Sequence, residues 1–175
     1  MKPRESKKNS QSVLDNAPIS LFRRLYQVAT AASAEVLAAD GLIPLEYGVL
    51  LRIHANPGVD QITLAGLLAL DRTTTSSVLF KLERRGLVER EINEADRRAR
   101  VLRLSPKGLE IRDRLRPHTL AAQENIWSVL TSTERKQLIG MLQRVMDANR
   151  HYMRLGAGRR KRTKTRMARR DAAVS

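Results

Sequence analysis

The sequence predicts a mainly α-helical fold with one small β-hairpin, and three observations predict it. Apolar residues recur at intervals of three and four from Pro18 to about Leu155, the spacing of amphipathic helices. Two β-prone runs, Leu87–Ile92 and Ala99–Leu104, flank the polar stretch Asn93–Arg98, which is a hairpin signal. Prolines at 18, 44 and 106 stand where a first helical turn tolerates them, and glycines at 41, 58 and 86 stand where helices stop.

Residues 1–16 show no hydrophobic period and are expected to be a mobile basic arm. From Pro18, the residues Leu21, Phe22, Leu25, Val28, Ala29, Ala32 and Val36 share one helical face, giving a first helix over about 18–39. Pro44 opens a second helix with Leu45, Val49 and Ile53 among its apolar positions, closed by His54–Gly58. Thr63 is expected to cap a short third helix, Leu64–Ala69, whose Leu64, Leu67 and Leu68 pack on the next helix after a turn at Leu70-Asp71-Arg72.

The fourth helix, expected over Thr73–Arg85, puts Thr75, Val78, Leu79 and Leu82 on an apolar face. Its other face carries Thr73, Ser76, Ser77, Lys81 and Arg84, with Arg72 and Thr74 at its start. Hydroxyls and cations on a solvent face are groups that bond phosphates and base edges, and a helix fits the major groove of B-DNA. A solvated face would look the same on this helix alone. The residues after Arg85 favour the first reading: Gly86 stops the helix, and the hairpin then projects the arginines of its turn beside it, where an arginine can enter a minor groove. The stretch Asp60–Leu104, with about 44–104 as its lobe, thus reads as a winged helix-turn-helix.

After the hairpin, Ser105-Pro106 supplies a capping hydroxyl and a first-turn proline for a helix running towards Leu130, with a kink or break expected at Arg116-Pro117. Thr131 and Glu134 fit a capping box that begins a last helix, with Leu138, Met141, Leu142, Val145 and Met146 inward and its end near Leu155-Gly156. The helices over about 18–39 and 106–155 exceed what a small winged lobe needs, so they either bury surface against a second copy or form an intramolecular bundle. Residues 156–175 have no apolar period and are expected to be a disordered basic tail attracting phosphate without reading sequence, or a solubilising end.

Composition agrees with one domain: 175 residues, 42% hydrophobic and poor in aromatics. The formal charge is +15, of which residues 156–175 carry +7 and residues 1–10 carry +3, leaving the middle only moderately basic. A polyanion is the first partner to consider. With no cysteine, disulfides, thiolate zinc sites and thiol catalysis are excluded. No run approaches the ~18 apolar residues of a membrane span, so no membrane partner and a cytoplasmic location are expected. His54, His118 and His151 lie on separate elements without ligand spacing, and no nucleotide-binding or hydrolase motif occurs, so neither an enzyme, a metal nor a cofactor is expected.

The segment LERRGLVEREINEADRRARVLRLSPKG, Leu82 to Gly108, resembles the helix-to-wing signature of the MarR family of bacterial transcriptional regulators, its most specific element being Asp96-x-Arg98. Weaker motifs extend the resemblance over roughly Pro18 to Tyr152. It implies a homodimeric DNA-binding regulator, with repression as the expected role, that binds double-stranded DNA at an inverted repeat and answers to a small molecule. By the same resemblance Arg98 reaches the minor groove, Asp96 orients it, and Arg97 is a phosphate contact or a solvated charge. The family pattern implies an effector pocket where the first, second and fifth helices meet, with Tyr26, Tyr47 and His118 as polar candidates, for an aromatic acid, a phenol or an acyl-CoA thioester. The chain departs from the pattern at Ser77, where a larger, often basic residue is common, and at Phe80, an outward aromatic that either touches a thymine methyl or, as favoured, packs under the wing. Two other classes remain open, an architectural protein that coats DNA and a winged-helix protein-interaction module.

Overall fold

The computed structural model describes residues 15–92 and 100–153. Most of the basic arm, the hairpin turn with Asp96, Arg97 and Arg98, and the basic tail lie outside the described residues. The element order is α1 (Pro18–Leu37), a 3-10 turn (Ala38–Asp40), α2 (Pro44–Ala55), α3 (Gln61–Leu67), α4 (Arg72–Arg84), β1 (Val88–Ile92), β2 (Arg100–Leu104), α5 (Pro106–Trp127) and α6 (Ser132–Ala148), with a second 3-10 turn (Arg150–Met153) after α6. β1 and β2 pair antiparallel with Val88 opposite Leu104 and Ile92 opposite Arg100. The amide of Leu102 also donates to the carbonyl of Val59, tying β2 to the loop before α3.

The core sits inside the lobe formed by α2, α3, α4 and the hairpin, roofed by Leu37 of α1 and Leu115 of α5. Leu50, Ile53, Leu64, Leu79, Leu82, Leu87 and Leu102 are fully buried, each worth roughly 1.5–3 kcal/mol relative to exposure. Leucine and valine fill most of this core, with Ile53 and Tyr47 among them.

Two joints fix α4 against the rest. At Asp40-Gly41, where Gly41 takes φ +59, the guanidinium of Arg85 donates to the carbonyls of Gly41 (2.8 Å) and Asp40 (2.6 Å) and lies 3.8 Å from the buried carboxylate of Glu46. Arg114 of α5 holds the Asp40 side chain at 2.5 Å, and that pairing raises the arginine pKa above its ordinary value. The second joint is Ser105, whose hydroxyl donates to the carbonyl of Gly86 (2.6 Å) and accepts from the amide of Gly108 (3.0 Å). Gly86 has φ +67, the left-handed stop expected from the sequence.

Several expectations need correction. Thr63 does not cap α3: the helix starts earlier, at Gln61, and Asp60 is the N-cap, accepting from the amides of Ile62 (2.8 Å) and Thr63 (3.0 Å) and from the Thr63 hydroxyl (2.6 Å). A carboxylate serves more donors than a hydroxyl, so the earlier position wins. Leu67 is exposed rather than packed on α4. α4 begins at Arg72 because Asp71 accepts from the Thr74 amide, and it ends at Arg84. Pro117 does not break α5, which is one helix of 22 residues. The proline is exposed, Thr119 donates its hydroxyl to the carbonyl of Arg116, and α5 packs against α1 and α2, so tertiary contacts hold the helix through the missing bond. α5 stops at Trp127 rather than near Leu130. The Thr131–Glu134 capping box forms, but Met141, Val145 and Met146 of α6 face outward in the single chain, and of the residues expected inward only Leu138 and Leu142 are half-buried. The α-helix ends at Ala148, short of the expected boundary.

The Asp60 cap yields a pH-dependent prediction. Hydrogen bonds from Thr63 and Ile62 hold its carboxyl below the ordinary carboxylate value. A depressed folded pKa means that the cap stabilises above the unfolded value and loses that contribution as pH falls through the folded one. Asp60→Ala should cost about 1 kcal/mol at neutral pH, with the gap between variant and wild type closing in acid below the carboxylate range. Urea unfolding at both ends of that window checks it.

Candidate nucleic-acid interface

α4 is two-faced in the way its spacing requires. Thr75, Val78, Leu79 and Leu82 are buried, whereas Arg72, Thr73, Ser77, Phe80, Lys81 and Arg84 lie on the other side, open or partly open to solvent. Thr75 is polar but satisfied, donating to the carbonyl of Asp71 at 2.8 Å. The outer face thus offers three cations and two hydroxyls on a rigid helix whose rear is packed into the core, an arrangement suited to phosphate and base-edge bonding.

Not every expected contact residue is equally available. Thr74 belongs to the cap, its amide (2.9 Å) and hydroxyl (3.2 Å) donating to the Asp71 carboxylate. Ser76 is half-buried and accepts from the side-chain amide of Gln61 at 2.6 Å, a bond that braces α3 against α4. Gln61 escaped the sequence reading because nothing in its spacing from Ser76 marks it. Phe80 does not bury itself: it is 58% exposed and carries the Arg84 guanidinium 5.7 Å from its ring centre. Asp96, Arg97 and Arg98 belong to the segment joining β1 to β2, outside the described residues. The strands leading to them are stiffened by an Arg103–Glu91 pair at 2.6 Å and by Arg90 on Glu83 of α4 at 2.5 Å.

This geometry can be set beside known proteins. Residues 42–99, the lobe containing α2, α3, α4 and β1, match the model of the MarR family. A protein from Thauera aromatica described as a putative transcriptional regulatory protein for the hcr operon is 30% identical over 132 residues, 75% of each chain. The chain belongs to the MarR family. MarR-family proteins are transcriptional regulators and not enzymes, so α4 is the recognition helix and β1–β2 the wing of a DNA-binding regulator. Among solved MarR-fold structures, PcaV of Streptomyces coelicolor, in complex with its natural ligand, is 29% identical with a TM-score of 0.67, covering 78% of this chain and 96% of that one. CouR bound to a 23-mer DNA duplex is 27% identical with a TM-score of 0.69, covering 75% and 94%. CouR from Rhodococcus jostii RHA1 bound to p-coumaroyl-CoA is 26% identical with the same score, covering 75% and 93%.

The three effector candidates of this MarR-family chain are dispersed. Tyr47 is buried, its hydroxyl donating to the carbonyl of Arg112 (3.3 Å) and accepting from Thr119 (3.4 Å). His118 lines a groove of about 530 Å³ between α1 and α5, with Ala32, Val36, Ala122 and Ile126. Tyr26, 70% exposed on α1, does not line that groove. Among the described residues no helix is long and apolar enough to cross a membrane, and no three potential metal-binding side chains cluster.

Proposed function

We propose that this regulator is a cytoplasmic, ligand-responsive repressor that binds an inverted-repeat operator as a homodimer. The polar outer face of α4, locked from behind by buried Val78, Leu79 and Leu82, is the observation that carries sequence-specific binding. Dimerisation is supported by apolar side chains left in solvent on the long helices: Ile19, Phe22 and Tyr26 at i, i+3, i+7 of α1, and Met141, Val145 and Met146 of α6. A two-fold dimer would set two recognition helices in successive major grooves about one turn (~34–36 Å) apart. Arg72, Thr73, Ser77, Lys81 and Arg84 then meet DNA directly, Thr74 and Ser76 support them, and Arg98 enters the minor groove oriented by Asp96, with Arg97 on phosphate.

For the effector we propose an aromatic acid, a phenol or an acyl-CoA thioester docking where α1, α2 and α5 meet, in the groove that His118 lines, with Tyr47 linked to the next residue of α5, Thr119, and Tyr26 on the exposed side of α1. The ligands named with PcaV and CouR support a small-molecule response of this kind. The Arg112 side chain of α5 is 11% exposed and pairs through Nη1 with the neighbouring Asp113, leaving its buried Nε as one donor without a partner among the described residues.

The test is footprinting of the full chain on its own upstream DNA with excess random duplex at near-physiological salt, where competitor removes electrostatic background. A protected inverted repeat that the candidate acids or thioesters release is the expected result; uniform coating would overturn the reading. Deleting residues 156–175, which hold eight of the 33 basic side chains, should lower affinity for random duplex and flatten its salt dependence while leaving the footprint in place. Binding titrations across a salt series measure that slope.

A further inference from the structure

We infer that Phe80 is a specificity-determining residue whose ring meets the 5-methyl group of a thymine in the major groove. This role presupposes the proposed docking of α4 and adds a base identity to it. Among the exposed side chains of α4, Phe80 alone is apolar. A core role is ruled out by its 58% exposure, and the residues that do pack the lobe lie on the opposite face of the same helix.

The surroundings of the ring define what it can touch. Helical side chains lean back toward the N-terminus, so Phe80 covers the turn occupied by Ser76 and Ser77. Serines are small and leave that space open. One turn on, Arg84 leans back in the same sense and sets its guanidinium 5.7 Å from the ring centre, a cation–π contact that restrains the ring from the C-terminal side. The result is an aromatic plate held from behind and open ahead, at the middle of the helix where the groove floor passes. Of the four bases, only thymine presents an apolar group there.

The experiment begins with selection of bound sequences from a randomised duplex pool by the full chain. Each thymine of the selected site is then replaced with deoxyuridine, which removes only the methyl. One thymine per half-site should be sensitive. Losing a buried methyl contact corresponds to about fourfold weaker binding for one half-site and about fifteenfold for both. Phe80→Ala should bind the thymine and deoxyuridine duplexes equally, and Phe80→Leu should keep part of the discrimination. Thermal unfolding of both variants verifies that they are folded. Discrimination that persists in Phe80→Ala, or a wild type indifferent to deoxyuridine at every position, would overturn the assignment while leaving sequence-specific binding intact. Failure to select any discrete sequence would instead overturn the proposed function, and this role with it.

Discussion

Gly108→Ala should be among the most destabilising single-methyl additions this chain can receive. A Cβ built at Gly108 would lie 2.0 Å from the carbonyl oxygen of Leu87 and 2.9 Å from its carbon, and both are backbone atoms with no side chain free to yield. The first turn of α5 must therefore lift away from the start of the wing. Lifting it would break the bond from the Gly108 amide to Ser105 and the bond from Ser105 to Gly86, which together seat the helix on the end of α4. A cost of about 3 kcal/mol is expected from such overpacking, and at this chain length it lowers the melting temperature by roughly 6–12 °C. Gly66→Ala is the matched control. Nothing lies within 4 Å of its added methyl, and it sits inside α3, so a gain on the order of 0.5–1 kcal/mol is expected. Calorimetry or urea unfolding of the two variants decides whether the close approach governs.

The largest functional effect is expected from Arg98→Ala. At ~1–3 kcal/mol for each wing, a dimer that loses both minor-groove contacts should bind its operator at least about 30-fold more weakly. Folding should be unchanged, because a charged residue in a polar stretch between two strands, as the sequence places Arg98, is not expected to add to a core. Binding to random duplex should fall far less, since that attraction is shared among many cations. Operator affinity equal to that of the wild type would remove Arg98 from the interface.

What the sequence could disclose depended on the reach of its signals. The buried face of α4, the stop at Gly86, the Ser105-Pro106 start and the Thr131–Glu134 box are local features, each written in a short run of chain, and all of them form. The errors arose where a local rule met a distant partner. Pro117 reads as a break until α1 and α2 are packed against α5. Thr63 is a different case, a choice between two caps three residues apart: Asp60 accepts three hydrogen bonds, two of them from Thr63 itself. The outward Met141, Val145 and Met146 follow a correct helical period whose facing surface is not supplied by the described part of the same chain. In the sequence Arg85 is only the last residue of a helix, yet it spans 44 residues to reach Gly41, and no periodicity encodes such a contact. Gly108 did carry a signal: glycine is a poor helix former, and its presence in a first turn marks a close backbone approach.

The Arg85 joint turns the recognition helix into a lever. α4 is held at its C-terminal end by the Asp40-Gly41 corner, which α5 grips in turn through Arg114, and nearer its N-terminal end it is braced to α3 by the Gln61–Ser76 bond, so a tilt would carry both helices, and in the proposed docking Thr73 with them. Thirteen residues at ~1.5 Å each make an arm of roughly 20 Å. A tilt of about 8° at the pivot displaces the tip by about 3 Å over such an arm, as much as the whole length of a hydrogen bond. Amplification is thus built into the proportions of the helix: a displacement too small to disturb the packing at the corner is magnified at the tip into the difference between matching and missing a base edge.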